Sequence, residues 1–212
     1  MAVPENINLY RMVHWQNVEY ILQNGICCRE HPNADPDYIN IGHRQLISDR
    51  HEHPVPLANA GNLGEYVPFY FAGHSPMLYL ICNGYQGVLQ LPQKDIVYLV
   101  CKYNDIENSG LDYIFTDRNA KISVANFYTQ KEDFEKLKWD DIQSKNWKND
   151  ENNLSRQDYK QAEFLIKDQV PVPYIAAIVV KNEERKIYFD NLLANLALNI
   201  KVHIDTTNIL YY

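Results

Sequence analysis

The alternation of apolar and polar positions predicts a chain of short strands and short helices. Short apolar or alternating runs, closed by Pro, Gly or polar residues, are typical of β-strands. The predicted strands cover residues 8–13, 66–71, 96–100, 113–115, 175–180 and 202–204. Apolar residues at helical spacing predict helices over 17–25 and 183–196, and Ser75-Pro76 has the residue types that begin a helical turn.

Two long polar stretches interrupt this pattern, one over residues 31–60 and one over residues 139–154. The first predicts a loop with short elements, and the second a long mobile loop with at most one helical turn. Long loops often carry function. Strands and helices alternate irregularly, with no repeat and no linker. The pattern therefore predicts one α+β domain over residues 1–212, with six to eight strands in mostly antiparallel or mixed sheets.

One carboxylate, Glu163, stands at the start of the short apolar run 163–166. A charge that enters an apolar segment is costly unless a partner satisfies it. Pro171 and Pro173 follow, so this run cannot continue far as a helix. One interpretation is a buried strand that holds Glu163 at the mouth of a pocket. The alternative is a surface glutamate on an amphipathic helix, and the pattern alone does not decide between them.

The composition narrows the class of protein. The chain has 212 residues, of which 46% are hydrophobic, and a net charge of −7. A broad basic face for duplex DNA is unexpected at this charge, so any contact with nucleic acid must come from a local groove. The four cysteines lack metal-site or disulfide-scaffold spacing, and no signal-peptide or membrane-spanning run occurs, so we expect a cytoplasmic protein with no membrane contact.

Candidate chemistry begins in the first polar stretch, which contains His43, His51 and His53. No further ligand follows at zinc-site spacing, so solvated histidines are the preferred interpretation and no metal is expected. Arg44 and Arg50 carry a fork of donors that suits phosphate, although isolated arginines are more often surface residues or ion-pair partners. The sequence lacks the glycine motifs of dinucleotide and P-loop sites and the G-x-S-x-G elbow of hydrolases.

A second candidate is the cationic segment that contains Lys145, Lys148, Arg156 and Lys160, with Trp147 among them. Cationic side chains around an exposed aromatic ring suit single-stranded nucleic acid, whose bases stack on such rings. Carboxylates in the same segment offset part of this charge. The preferred alternative is a solvated loop in which Trp147 docks on the protein core.

Several blocks of residues, in order along nearly the whole chain, carry a resemblance to a known family. The blocks are Tyr10-Arg11-Met12-Val13-His14 with Asn17, Ile39-Asn40-Ile41-Gly42, Leu46-Ile47-Ser48-Asp49-Arg50, His53-Pro54-Val55-Pro56, Glu65 to Phe71, Ser75-Pro76-Met77-Leu78, Phe115-Thr116-Asp117 and Gln161-Ala162-Glu163. Together they resemble DarT, the DNA ADP-ribosyltransferase toxins of bacterial toxin–antitoxin pairs. Because the blocks are long and ordered, the resemblance is specific.

The resemblance implies an ADP-ribosyltransferase fold, in which two small sheets splay apart and hold NAD+ between them without a metal. It implies transfer of ADP-ribose from NAD+ to a thymine base in single-stranded DNA, with release of nicotinamide. It also implies a partner antitoxin, DarG, whose macrodomain removes the modification. Two alternatives are the same fold with guanine, RNA or protein as acceptor, and a non-catalytic module that binds NAD+ or DNA.

The resemblance also assigns roles to residues. Glu163 matches the catalytic glutamate of the family, and Arg50 matches the arginine that acts on the target base. The residues expected to bind NAD+ are Tyr10, Arg11, Met12, His14, Leu22, Arg50 and Tyr70. The residues expected to bind DNA are Lys145, Trp147, Lys148, Arg156 and Lys160. The chain departs from the family pattern at Arg11 and Asn119, where relatives carry His, and at Ser48, where relatives often carry Gly.

Overall fold

The computed structural model describes residues 2–212, apart from the side chains of Arg44 and Leu46. The strands are β1 (Asn8–His14), β2 (Ile26–Cys27), β3 (Tyr66–Tyr70), β4 (Ile96–Lys102), β5 (Tyr113–Thr116), β6 (Phe127–Tyr128), β7 (Glu163–Lys167), β8 (Gln169–Val170), β9 (Ala177–Val180) and β10 (Lys201–Ile204). The α-helices are α1 (Val18–Asn24), α2 (Arg44–His51), α3 (Pro76–Asn83), α4 (Tyr103–Ser109), α5 (Trp139–Gln143), α6 (Arg156–Tyr159) and α7 (Glu183–Asn195).

Eight of these strands form one mixed sheet in the order β10-β9-β4-β1-β3-β7-β5-β6, and β2 and β8 pair separately. Within the eight-stranded sheet β9 and β10 are parallel, and the other neighbouring strands are antiparallel. The α+β class and the mixed sheet are therefore confirmed. None of the described helices is both long enough and apolar enough to cross a lipid bilayer.

The sheet is almost divided between β1 and β3. Strand β1 pairs with β4 along its whole length, from Asn8 to His14, but it pairs with β3 only where Tyr10 lies opposite Tyr70. The half-sheets β10-β9-β4-β1 and β3-β7-β5-β6 diverge from this one pair. The two splayed sheets expected from the family are thus two halves of one hydrogen-bonded sheet.

Pro68 lies in the central strand β3, although proline in a strand is typical of an edge or an irregular start. The N–H and C=O groups of a strand residue point to the same side. The Pro68 carbonyl accepts a hydrogen bond from Arg11 Nη1 at 2.9 Å, so the missing N–H of Pro68 also faces β1. Since β1 has diverged there, the proline removes no hydrogen bond from the sheet.

The two faces of the sheet are packed differently. One face carries the main hydrophobic core, which includes Phe69 and Phe164 and is covered in part by α1 and α7. The other face carries two smaller clusters, one around Tyr98 on the β1 half and one around Leu165 on the β3 half. The gap between these clusters lies over the line where β1 and β3 diverge, which places a cleft there.

Each of the two polar stretches contains a helix, and short elements were expected in both. The 31–60 stretch contains α2, an eight-residue helix. The 139–154 stretch begins with α5, whose Trp139 and Ile142 are buried in the main core. The second stretch is therefore anchored at its start by two large apolar side chains, and it agrees with the expected single turn of helix.

Asp205 holds the segment that follows β10. Its carboxylate accepts backbone N–H groups from Ile209 at 2.9 Å, Leu210 at 2.7 Å and Tyr211 at 3.1 Å. Burial opposes the negative charge, but these three donors outweigh it and lower the pKa of Asp205. The segment can then place the Tyr211 ring edge-on against Tyr98, with the ring centroids 5.2 Å apart.

The substitution Asp205→Asn should destabilise the protein at neutral pH. Hydrogen bonds to a charged group contribute more than neutral ones, so we expect the free energy of unfolding to fall by about 1.5–3 kcal/mol. The pKa of Asp205 is lower in the folded state than in the unfolded state, where it is near 3.9. Its contribution to the free energy of unfolding is therefore complete above the unfolded pKa and is lost as pH falls through the folded pKa. Urea unfolding at pH 7 and pH 3 measures both effects. The difference in the free energy of unfolding between wild type and variant should be smaller at pH 3 than at pH 7.

The matched control is Asp190→Asn, which removes an exposed carboxylate that pairs with Lys186. Exposed ion pairs contribute little, so this variant should unfold within about 0.5 kcal/mol of wild type. An equal gap at pH 7 and pH 3 for Asp205→Asn would contradict the assigned role of the Asp205 charge.

Candidate active site

Glu163 is the first residue of β7, lies opposite Tyr70 of β3 and is only 2% exposed. This is the buried-strand interpretation, and the surface-helix alternative is wrong. The Glu163 backbone N–H donates to Thr116 Oγ1 at 3.2 Å, and its Oε1 accepts the N–H of Ala120 at 3.2 Å. The end of β5 and the β5–β6 connection therefore fix both the backbone and the carboxylate.

Arg50 of α2 provides the positive partner of this carboxylate. Its Nη1 donates to Glu163 Oε1 at 3.0 Å and its Nη2 donates to Oε2 at 2.8 Å, which is a bidentate pair. Burial disfavours the charged guanidinium, but the Glu163 carboxylate outweighs this and raises the pKa of Arg50. Burial and the same carboxylate raise the pKa of Tyr70 well above its ordinary value, so Tyr70 stays a neutral phenol.

The carboxylate keeps one acceptor position for a ligand. An ionised carboxylate has about four lone-pair sites. Oε1 accepts from both Arg50 and Ala120, whereas Oε2, within the described part of the chain, accepts only from Arg50. Glu163 can therefore accept one hydroxyl group at Oε2 while its ion pair with Arg50 remains intact.

Across the cleft, β1 presents Tyr10, Met12 and His14 on the side of the sheet that carries the cleft. The Tyr10 ring packs edge-on against Tyr98 at 6.3 Å, and Met12 packs on the same cluster. His14 is buried, and its Nδ1 accepts the N–H of Gln16 at 3.4 Å. Burial lowers the pKa of His14. The ring is thus neutral near pH 7. Because Nδ1 accepts a hydrogen bond, the proton is on Nε2, which can donate a hydrogen bond to a ligand.

Arg11 reaches across the opening between β1 and β3. Its Nη1 donates to Pro68, while its buried Nε has no hydrogen-bond partner among the described residues. A buried donor without a partner costs about 1–3 kcal/mol, so an acceptor atom of a bound ligand would relieve it. Arg11 therefore bridges β1 and β3 at the point where they diverge, and its buried Nε remains an unused donor there.

Leu22 lies elsewhere: it is 3% exposed and packs in the main core, on the other face of the sheet. Sequence reasoning assigned it to NAD+ binding but gave no role in the cleft to Asn17. The Asn17 side chain donates to the Ile39 carbonyl and accepts the Ile39 N–H, both at 2.9 Å. Asn17 thus ties the segment before α2 to the end of β1.

Thr116 and Ala120 were also missed as residues that hold Glu163, the first at its backbone N–H and the second at its carboxylate. Thr116 belongs to a block that resembles the family, so a signal was present, whereas a backbone N–H such as that of Ala120 leaves no side-chain signature. Asn119 accepts the N–H of Lys121 through its side-chain Oδ1 and shapes this turn. Lys121 in turn pairs with Asp49 of α2, which joins the β5–β6 connection to the helix that carries Arg50.

Lys160 does not lie on the surface, contrary to its predicted contact with DNA. It is 3% exposed, and its Nζ donates to the Ile142 carbonyl at 2.7 Å. Burial lowers the pKa of Lys160 to about 8. The charge of Arg156 is also offset, because its guanidinium pairs with Asp150 and Asp141.

Lys145 and Lys148 are exposed, in line with their predicted role. Trp147 between them is docked: its Nε1 donates to Tyr212 Oη at 2.6 Å, and its ring packs edge-on against Tyr79 at 5.5 Å. This is the docked alternative for Trp147, although the ring remains partly exposed.

The histidines considered for a metal do not gather into a site. His51 Nε2 lies 2.8 Å from Glu30 Oε1. Over the described residues, no three His, Cys, Asp or Glu side chains are grouped as metal ligands would be.

Comparisons of the sequence with known proteins identify a family and relatives over nearly the whole chain. A family model described as "ssDNA thymidine ADP-ribosyltransferase, DarT" matches residues 10–212. A DNA ADP-ribosyl transferase of Escherichia coli O127:H6 is 32% identical over 200 residues, which cover 94% of this chain and 92% of the relative.

Solved structures show the same fold. Thermus sp. 2.9 DarT in complex with ADP-ribosylated ssDNA has a TM-score of 0.90 at 29% identity, and the match covers 100% of this chain and 99% of that chain. The same protein in complex with NAD+ has a TM-score of 0.82 at 30% identity, over 100% of both chains.

Thermosipho africanus DarTG in complex with ADP-ribose has a TM-score of 0.71 at 26% identity, over 95% of this chain and 50% of that chain. The family model covers nearly the whole chain, and the splayed sheet and cleft described above belong to the fold of these relatives. The chain therefore belongs to the DarT family of NAD-dependent DNA ADP-ribosyltransferases.

Proposed function

We propose that this protein transfers ADP-ribose from NAD+ to a thymine base in single-stranded DNA and acts as the toxin of a toxin–antitoxin pair. The observation that carries the proposal is the buried, bidentate pair of Glu163 and Arg50 beside the point where the half-sheets diverge. The complexes of Thermus sp. DarT with NAD+ and with ADP-ribosylated ssDNA support the two substrates.

The reaction exchanges one bond to the ribose for another. The bond between nicotinamide and the anomeric carbon breaks, and nicotinamide leaves with the electron pair. A nitrogen of thymine forms the new bond to the anomeric carbon and releases its proton to water. In the transition state the ribose carries positive charge, and the base gains negative charge as its proton departs. The site must therefore stabilise two charges of opposite sign.

Glu163 meets the first requirement. Its open acceptor position at Oε2 suits the 2′-hydroxyl of the ribose next to nicotinamide, which would hold the sugar with its anomeric carbon near the carboxylate. A negative charge in a buried site stabilises positive charge on the ribose more strongly than it would in water. Arg50 and Ala120 hold the carboxylate in place, so little reorganisation is needed during the reaction.

Arg50 meets the second requirement. Because the Glu163 carboxylate raises the pKa of Arg50, the guanidinium stays protonated and does not act as a base. It is a fixed source of positive charge for the oxygens of thymine as the base becomes anionic.

The side chains of β1 would hold the NAD+ molecule. Arg11 would place its positive charge at the opening, and His14 would provide its Nε2 proton as a donor for an NAD+ oxygen. Tyr10 and Met12 supply apolar surface next to these donors. Tyr70 lies next to Glu163 as a neutral ring and would line the nicotinamide end of the cleft.

A single-stranded acceptor follows from the chemistry of thymine. Its reactive nitrogen is engaged in pairing within a duplex, so the enzyme needs a single strand or an extruded base. A net charge of −7 argues against a broad duplex-binding face, whereas the exposed Lys145 and Lys148 supply local positive charge. A toxin of this kind would act in the cytoplasm with the antitoxin DarG as partner, and the similarity to Thermosipho africanus DarTG supports that pairing.

The substitution Glu163→Gln should reduce DNA modification by roughly 10²- to 10³-fold, the range associated with loss of one group that stabilises charge in the transition state. The neutral amide cannot stabilise a positively charged ribose. Mass spectrometry of a thymine-containing oligonucleotide incubated with NAD+ should show a product heavier by one ADP-ribose for wild type and almost none for the variant. Asp190→Asn is the control. Near-normal turnover by Glu163→Gln would exclude the proposed role.

Oligonucleotides that each lack one base should separate the possible acceptors. We expect every single strand that contains thymine to be labelled, and a strand that lacks thymine to remain unmodified. A duplex of the same sequence should react poorly because the nitrogen is paired. If only a guanine strand, only RNA or only protein became labelled, that molecule and not thymine would be the acceptor.

Expression of the wild-type protein in bacteria should arrest growth, and Glu163→Ala should relieve the arrest at equal protein levels. Co-expression of a DarG antitoxin should also restore growth, because removal of the modification repairs the damage. Growth curves together with immunoblots measure both effects. Arrest that persists with Glu163→Ala would show that toxicity does not come from ADP-ribose transfer.

A further inference from the structure

Four aromatic rings form a partly exposed cluster beside the active site, here called the aromatic platform: Tyr79, Tyr85, Trp147 and Tyr212. The Tyr79 ring lies 5.8 Å from Tyr85, 5.5 Å from Trp147 and 5.7 Å from Tyr212. Tyr85 is 50% exposed. A single exposed tyrosine is ordinary, but four rings in mutual contact with partial exposure form a contiguous patch, which is typical of an interaction site.

The backbone around Tyr85 is held in an uncommon conformation. Residues 84, 86 and 87 all have positive φ, and the residue at 86 is Gln, with φ of 55°. A residue other than glycine in this region carries a conformational cost, which is often associated with a functional position. The turn projects Tyr85 from the end of α3. Leu89, just after the turn, is 63% exposed and extends the apolar surface.

The platform begins close to the catalytic pair. Tyr212 Oη donates to the carbonyls of His74 and Ser75, each at 3.0 Å, and the Tyr212 and His74 rings are 4.8 Å apart. His74 follows Tyr70 by four residues, which span at most about 14 Å. Since Tyr70 lies opposite Glu163, a single strand with one base at Glu163 can reach the platform within a few nucleotides.

Positive charge borders the same surface. Lys145 and Lys148 lie on either side of Trp147 and are exposed, and neither forms an ion pair with a side-chain carboxylate of the described residues. Burial lowers the pKa of His74, and the nearby charge of Lys145 lowers it further. Arg156 and Lys160 offer much less to a phosphate backbone, because one is paired and the other is buried.

We propose that bases next to the modified thymine stack on Tyr85 and its neighbours in the aromatic platform, while Lys145 and Lys148 contact the phosphates. Every base has a π-face, so such stacking binds a single strand with little sequence preference. This inference rests on the proposed function, and it places the strand over the end of α3 rather than along Arg156 and Lys160.

The test compares Tyr85→Ala, Tyr85→Phe and wild type, each in a Glu163→Gln background that prevents turnover. Fluorescence anisotropy measures the Kd for a labelled 12-nucleotide strand with one central thymine. Loss of one stacking ring should weaken binding by about fivefold to a hundredfold, and Tyr85→Phe should bind like wild type because it keeps the ring. The matched control is Tyr188→Ala, since Tyr188 is a partly exposed tyrosine on α7 and should leave the Kd unchanged.

A second strand separates base stacking from phosphate contact. It keeps the thymine and its two neighbours but has abasic sugars elsewhere, so the phosphates remain and the distal bases are lost. Wild type and Tyr85→Ala should bind this strand with equal affinity. Circular dichroism and thermal unfolding should show that Tyr85→Ala folds normally, as expected for a half-exposed side chain.

Three outcomes would overturn the inference. The first is an unchanged Kd for Tyr85→Ala with the full strand, and the second is an equal loss of affinity with the abasic strand. The third is a change in oligomeric state with DNA binding intact, which would identify the platform as a contact between copies of the chain. If the background protein fails to bind single strands at all, the proposed function fails, and that result is distinct from these three.

Discussion

A carboxylate remains charged in a protein interior only where an opposite charge or several hydrogen-bond donors compensate it, and this constraint organises the centre of the molecule. Glu163 begins a buried strand, and Arg50 reaches it from a helix more than a hundred residues earlier in the chain. Removal of either partner from such a pair leaves a buried charge and typically costs about 3–5 kcal/mol. The position of α2 therefore depends on Glu163, and the Lys121–Asp49 pair adds a second link at the protein surface.

The sequence predicted most of the sheet because the strands have one or two apolar faces. Strand β4 is buried from Ile96 to Cys101, and its continuous apolar run was unambiguous. The setting of Glu163 stayed undecided, because a glutamate before three apolar residues fits either a strand or an amphipathic helix. Its partner lies on α2, a polar helix held by contacts distant in sequence, and local periodicity carries no record of such contacts.

The predicted DNA-binding segment shows a second limit of prediction from sequence. Sequence identifies how many cationic residues are present but not which way they point. Lys160 turns inward to a carbonyl, Arg156 is taken up by two carboxylates, and Trp147 docks on Tyr212. The partner of Trp147 belongs to the C-terminal segment, and α5 supplies the Ile142 carbonyl to Lys160 and Asp141 to Arg156. Local sequence pattern does not record these partners. Only Lys145 and Lys148 keep the exposed positive charge that composition alone suggested.

Pro68 has a consequence for how the cleft is built. Two adjacent antiparallel strands tend to pair along their whole length, and complete pairing of β1 with β3 would close the space where NAD+ is proposed to bind. Pro68, in the middle of β3, has no N–H to donate to the next backbone hydrogen bond with β1. Its carbonyl would accept the other bond of that pair, but it accepts Arg11 Nη1 instead. The residue type at position 68 therefore keeps β1 and β3 from pairing further, and the cleft is present before any substrate binds.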